Sequence, residues 1–165
     1  MRKSVRIKIS EYYLAKNGET IKSYGLGSCV GVAVWDPKKK IGALAHILLP
    51  ASKNSAAAAN SAKYAPGAVA VMMEELVEAG CEPRRLLAKM AGGANIFPRR
   101  FNSCAGEPGA NLGRRNVLAA RKALARKKIP LAAEEVGGET GRIIEFNPAT
   151  GELRIYKSTG EVKII

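Results

Sequence analysis

Residues 21–50 read IKSYGLGSCVGVAVWDPKKKIGALAHILLP, and the fold turns on how this stretch is taken. Val30, Val32 and Val34 alternate with Gly31, Ala33 and Trp35, a period-two run rich in β-branched side chains, which marks a strand. Asp36-Pro37 followed by Lys38, Lys39 and Lys40 is a polar turn. Ile41 to Leu49 is a second apolar run, closed by Pro50. Together they predict a β-hairpin. A two-residue turn at Pro37-Lys38 pairs Asp36 with Lys39 and sets Cys29 directly opposite His46. A four-residue loop at 37–40 pairs Asp36 with Ile41 and sets Cys29 and His46 diagonally. Either register leaves the two on one face of the sheet, whereas an odd shift separates them.

A thiol and an imidazole on one face suggest chemistry. The thiolate is the nucleophile, and a neighbouring imidazole takes the thiol proton and stabilises the anion. His46 is the only histidine in the chain. Gly25-Leu26-Gly27-Ser28, just before Cys29, reads as a flexible turn. Backbone N–H groups around Gly27 and Ser28 are therefore candidates to hold an oxyanion. Ser23, six residues before Cys29, is a hydroxyl able to return to the same pocket and orient the imidazole through its other nitrogen. Each residue also has a structural reading. Free cysteine is commonly buried, a histidine on an apolar strand is commonly a satisfied core residue, and glycines before a strand mark a turn. On the residues alone both readings stand.

Outward from this stretch, Val5, Ile7 and Ile9 alternate with Arg6 and Lys8 and predict a first strand. Glu11 to Glu19 reads as a connection and Thr20 to Ser23 as a short strand. The small polar segment after Pro50, ASKNSAAAANSAK, is a loop flanking the site or a plain linker. A helix is expected from Pro66 to Ala79, with Val69, Met72, Met73 and Leu76 on its apolar face and Gly80 at its end. Leu86 to Met90 reads as a buried strand leading into Gly92-Gly93-Ala94-Asn95, where another backbone can approach closely. Phe97 to Gly109 is irregular and holds Cys104, taken as structural. Asn111 caps a helix to about Lys128, with Val117, Ala120 and Leu124 inward. Leu131–Val136, Arg142–Phe146, Glu152–Tyr156 and Glu161–Ile165 are strand patterns, with a hairpin turn at 147–151. The expectation is one α/β or α+β domain over residues 1–165, with layered mixed sheets and two main flanking helices.

Composition narrows the function classes. A chain of 165 residues is long enough to bury roughly 70% of its unfolded surface. No stretch resembles a transmembrane span, and MRKSVRIKIS lacks the apolar core of a signal peptide, so a cytoplasmic location is expected. Cys29, Cys81 and Cys104 are an odd, widely spaced set that fits reduced thiols. With one histidine and no C-x-x-C pair, no metal site is expected. The 27 Lys and Arg against 14 Asp and Glu give a formal charge of +13, which draws acidic partners. Aromatic residues are only 5% and do not alternate with the basic ones, which argues against a single-strand nucleic-acid platform.

The strings GLGSCVGV, GALAHILLP, AGGANIF, NLGRRN and VGGETGRIIEFNPATGELRIYK occur in an order that resembles the CheD family, the chemoreceptor glutamine deamidases of bacterial and archaeal chemotaxis. The resemblance spans nearly the whole chain. It implies a layered α/β fold and a site of cysteine, histidine and threonine, which fall on Cys29, His46 and Ser23, with serine here in place of the expected threonine. It places Asn95 beside the pocket as a substrate contact. It implies thioester chemistry without metal or cofactor, with chemoreceptors as substrate and the CheC phosphatase as regulatory partner. Neither nucleic acid nor membrane insertion is part of that expectation. Hydrolysis of a glutamyl methyl ester is within reach of the same machinery. Two rivals remain: a thiol deamidase of some other protein, and a non-enzymatic adaptor that uses the basic surface.

Overall fold

The computed structural model describes residues 3–16, 18–54, 61–96 and 111–165. Along the chain run β1 (Ser4–Ile7), β2 (Tyr12–Ala15), β3 (Thr20–Leu26), β4 (Val30–Asp36), β5 (Ile41–Ile47), α1 (Ala65–Glu78), a short 3-10 turn (Pro83–Arg85), β6 (Leu87–Gly92), α2 (Leu112–Arg126), β7 (Leu131–Val136), β8 (Arg142–Asn147), β9 (Glu152–Lys157) and β10 (Val162–Ile164). The strands form two sheets of five, ordered β2-β5-β4-β6-β7 and β1-β3-β8-β9-β10. Both are mixed: β1 runs parallel to β3 and β6 parallel to β7, and the remaining pairs are antiparallel. The layered α/β arrangement expected from the sequence is the one found.

The hairpin takes the four-residue loop. Asp36 pairs with Ile41 and Gly31 with His46, so the two-residue turn is excluded. Asp36 explains the choice. Its Oδ1 accepts from the N–H groups of Lys38 at 2.9 Å and Lys39 at 3.2 Å, and its carbonyl accepts from Lys40 at 2.9 Å. A short carboxylate that bonds the backbone two and three residues on closes this kind of loop. The Arg85 guanidinium then clamps the same carboxylate, with Nη2 at 2.8 Å.

Every residue of β4 is buried, although polar and apolar faces do not alternate along it. The reason is its place in the middle layer. Val30, Val32 and Val34 pack toward the helices with Val69, Met72, Leu76, Ala120 and Leu124. Ala33 and Trp35 pack toward the second sheet with Leu44, Ile144 and Phe146. A strand covered on both faces reads as a continuous apolar run. The core thus has two slabs, and the first sheet is the wall between them. Side chains on the Gly31, Ala33 and Trp35 face lie between the sheets.

The helices follow their sequence signals. In α1, Val69, Met72 and Leu76 are buried, Pro66 stands in the first turn, and Gly80 follows the end with φ +86°. In α2, the Asn111 side chain accepts from the Arg114 N–H at 3.1 Å, and Val117, Ala120 and Leu124 are buried. Fully burying such a side chain is worth about 1.5–3 kcal/mol.

Three features differ from the sequence reading. Tyr12–Ala15 lies within the stretch read as a connection, yet it forms an edge strand against β5. Four residues without alternation give no periodic signal, and the pairing supplies what the pattern lacks. The first strand stops at Ile7, because the chain turns at Ser10 with φ +64° and leaves Ile9 51% exposed. β3 continues past Ser23 to Leu26, with a register shift between those residues and Gly25 at φ +70°. Residues 97–110, which hold Cys104, and 55–60 of the small polar segment lie outside the described residues. Among the described residues no helix is long and apolar enough to cross a membrane.

Candidate active site

β3 and β5 belong to different sheets and bring Ser23 and His46 together between them. Ser23 Oγ lies 2.8 Å from His46 Nδ1, and both residues are fully buried. Ser23 Oγ also lies 3.3 Å from the Ile7 carbonyl on β1. That carbonyl can only accept, so the hydroxyl hydrogen points to it, and His46 Nδ1–H donates to the Ser23 oxygen. The opposite tautomer would leave a buried Nε2–H donor orphaned, at a cost of about 1–3 kcal/mol. The network thus leaves Nε2 unprotonated, with a free lone pair. Nε2 has no hydrogen-bond partner among the described residues. The imidazole backbone is fixed as well: the His46 N–H donates to Glu11 O and its carbonyl accepts from Ser10, each at 2.9 Å.

Cys29 sits just before β4, 6% exposed. Gly31 pairs with His46 and the ladder ends at Val30 and Ile47, one residue short of Cys29; carried on by that one residue, the register of the four-residue loop sets Cys29 on the diagonal of His46. No hydrogen bond joins the thiol to the imidazole in this resting arrangement. Burial pushes the Cys29 thiol up, partly offset by its own backbone N–H. Burial pulls the His46 imidazole down from 6.5 to about 4. Both groups therefore rest neutral, as thiol and free base, and no ion pair is preformed.

The turn before Cys29 is held by the second glycine turn. Ala94 N–H donates to Gly27 O and Gly93 N–H to Cys29 O, each at 2.8 Å. A side chain at Gly92, which has φ +116°, would stand 2.3 Å from Cys29 O; one at Gly93 would stand 2.3 Å from Val117 Cγ2. The glycines thus permit close backbone approach. Asn95 follows directly, partly exposed, with its N–H on Gly138 O at 2.8 Å. The Gly138 loop is fastened by buried Arg142, which donates to Gly137 O at 2.7 Å, Thr140 O at 3.2 Å and Glu135 at 2.6 Å.

Sequence reasoning missed one residue of this region. Asn116 on α2 is fully buried, and its Nδ2 donates to Ser28 O at 2.9 Å and Leu48 O at 3.0 Å. It stands in the NLGRRN string, but no spacing rule connects a helical asparagine to a turn 88 residues earlier. The one available signal was its place on the apolar face of α2, beside Val117 and Ala120, where a polar residue needs a buried partner.

The structure thus joins Ser23 to His46 by a hydrogen bond, while Gly27, Ser28 and Cys29 share one turn that is bonded to the turn before Asn95. A neutral thiol and a base with a free lone pair, once within reach of each other, suit acyl transfer: the base takes the thiol proton as sulfur attacks a carbonyl. Among the described residues no group of three or more His, Cys, Asp or Glu is placed to hold a metal ion.

The chain is similar to known proteins along most of its length. The family described as CheD chemotactic sensory transduction matches residues 48–157. The chain is 47% identical over 156 residues to the "Probable chemoreceptor glutamine deamidase CheD 2" of Geobacter metallireducens, covering 94% of each. It is 42% identical over 154 residues to the chemoreceptor glutamine deamidase CheD of Thermotoga maritima, covering 93% of this chain and 92% of that one. To the Bacillus subtilis protein of the same name it is 40% identical over 152 residues, covering 92% and 89%.

Proposed function

Because the chain belongs to the CheD family, we propose that it is a chemoreceptor glutamine deamidase, a thiol hydrolase that converts receptor glutamine side chains to glutamate. The observation that carries this reading is the Ser23–His46 hydrogen bond, which leaves Nε2 free, one residue's continuation of the hairpin register away from Cys29. His46 Nε2 takes the Cys29 proton as the sulfur attacks the glutamine amide carbon. The carbonyl π electrons move to oxygen, and backbone N–H groups of the 27–29 turn hold the resulting oxyanion. Collapse of this intermediate breaks the C–N bond, and protonated His46 gives its proton to the leaving nitrogen, which departs as ammonia. Water, deprotonated by His46, then attacks the thioester. The C–S bond breaks, glutamate is released, and Cys29 regains its proton. None of these steps calls for a metal or cofactor. An ester carbonyl is easier to attack than an amide, so glutamyl methyl esters fall within the same chemistry.

The formal charge of +13 supports docking on an acidic receptor surface, with receptor binding that weakens as salt rises. Family resemblance supports CheC as a regulatory partner, and covering the entrance to the site is the simplest way for it to lower deamidation; the lack of a long apolar stretch or signal-like N-terminus in the sequence supports a cytoplasmic location.

Incubation with receptor cytoplasmic fragments, read by mass spectrometry, tests the function. Specific glutamines become glutamate with the wild type, none do with Cys29→Ala, and His46→Ala slows conversion by about 10²-fold or more. Unchanged conversion by Cys29→Ala sinks the mechanism. If Cys29 reacts with iodoacetamide in a His46-dependent way while receptors stay unmodified, the substrate is another protein. If Cys29 does not react at all, the chain is a non-enzymatic adaptor.

A further inference from the structure

The geometry points to Asn116 as a positioning residue that fixes the oxyanion-binding peptide of the Cys29 turn. This inference rests on Cys29 being an acyl-transfer nucleophile, and on no particular receptor. Asn116 Nδ2 carries two hydrogens, and both are spent on backbone carbonyls, Ser28 O at 2.9 Å and Leu48 O at 3.0 Å. Ser28 O belongs to the peptide that carries the Cys29 N–H. In a planar trans peptide the C=O and N–H point in opposite directions, and no cis peptide is found among the described residues. With Ser28 O held toward α2, the Cys29 N–H must point away from α2. The same residue carries this N–H and the sulfur, and the amide partly offsets the burial that pushes the thiol up. The donor therefore stands beside the attacking sulfur, where an oxyanion would form.

The second bond sets the reference for the first. Ser28 lies two residues before β4 and Leu48 directly after β5, so Asn116 ties the two chain segments together just beyond where the strand pairing ends at Val30 and Ile47. Beyond that pair no ladder bond reaches the Ser28–Cys29 peptide itself, and the second glycine turn holds only the carbonyls on either side of it, Gly27 O and Cys29 O, each at 2.8 Å. The helix supplies what the sheet cannot. α2 is itself seated against the second glycine turn, since Gly113 lies so close to Ala94 O that a Cβ there would stand at 2.5 Å. Asn116 Oδ1 is buried without a partner among the described residues, a cost accepted for placing the two donors.

The test compares two reactions at the same sulfur. Acylation by p-nitrophenyl acetate passes through a tetrahedral oxyanion, whereas alkylation by iodoacetamide is a displacement at carbon and forms none. With Asn116→Ala, the acylation burst should slow by about 10²-fold or more while alkylation stays within a few-fold. Glutamine hydrolysis should lose kcat with KM little changed. Asn116→Asp keeps the shape and, while protonated, one donor. Its acylation should be intermediate and should decline further as pH rises and the new carboxyl ionises. Equal slowing of acylation and alkylation, or no slowing of either, overturns the proposal. So does failure of both variants to fold, because Asn116 would then be a strut without a separable role. Receptor fragments left unmodified by a wild type that acylates normally would count against the receptor reading alone. A wild type that is not acylated at Cys29 overturns both.

Discussion

Ser23 Oγ and His46 Nδ1 stand 2.8 Å apart across the gap between the two sheets, each on a strand of a different sheet. Removing the hydroxyl should therefore disturb the imidazole more than the fold. In Ser23→Ala, Nδ1–H has no acceptor, and the tautomer with the proton on Nε2 becomes competitive. Deamidation should fall by about 10-fold or more, with iodoacetamide labelling of Cys29 slowed in parallel. Ser23→Thr keeps the oxygen and adds a methyl that restricts its rotamer, so activity should stay within a few-fold of wild type. Equal activity of the alanine and wild-type proteins would show that the hydroxyl does not orient the ring.

His46 also makes stability depend on pH. The unfolded imidazole binds its proton near 6.5, and the folded one does so only at about 4. A folded pKa below the unfolded one means that the unfolded state binds more protons in that window. The stabilisation is complete above pH 6.5, declines as pH falls toward 4, and is worth about 3 kcal/mol. The lowered carboxylates, Glu19, Glu135 and Asp36, act from 4.5 downward, so the upper part of the window belongs to His46. Denaturant midpoints measured at pH 7 and pH 5 should differ for the wild type and converge for His46→Gln. A wild-type stability that is flat across this range rules the shift out.

Much of this was legible in the chain because the signals are local. The alternation of Val30, Val32 and Val34, the Asp36-Pro37 turn and the cap at Asn111 each act within a few residues, and each is found where expected. The hairpin left two registers open. Asp36 chose between them by bonding its own loop, a preference readable only with hindsight about its burial. What the sequence hid is non-local. Tyr12–Ala15 becomes a strand through the edge of β5, and Asn116 meets Ser28 only because α2 folds back over the wall sheet. The neutral resting state of Cys29 and His46 is likewise set by how deeply two sheets bury them, which residue spacing does not encode.

Asp36 should be costly to replace although it lies far from the site. Its fully buried carboxylate accepts from Lys38 and Lys39 N–H, from Glu82 N–H at 3.3 Å, and from Arg85 Nε and Nη2 at 3.1 and 2.8 Å. The Arg85 guanidinium holds its pKa down at about 2. Asp36→Ala orphans these donors and should destabilise by about 3 kcal/mol. Asp36→Asn keeps an acceptor for the loop N–H groups but loses the charge that pairs with Arg85, and should cost less. Thermal unfolding of the two variants orders them; equal stability of Asp36→Ala and wild type would refute the clamp.

Gly92 links packing to chemistry most directly. Its φ of +116° is a backbone conformation that side chains avoid, and an added Cβ would meet Cys29 O at 2.3 Å and Val30 Cα at 3.2 Å. Both are backbone atoms, which cannot rotate aside as the end of a long side chain would. Gly92→Ala must therefore push the Cys29 backbone and weaken the Gly93 N–H to Cys29 O bond of 2.8 Å. Gly160, with φ +91° and nothing within 4 Å of an added Cβ, isolates the conformational part of the cost. Gly160→Ala should destabilise by about 1 kcal/mol and leave deamidation unchanged. Gly92→Ala should destabilise by more than about 2 kcal/mol and lose most activity even at temperatures where it remains folded. The comparison is made by measuring melting and glutamine conversion on both proteins. If Gly92→Ala is no worse than Gly160→Ala in either measurement, the second glycine turn does not hold the first.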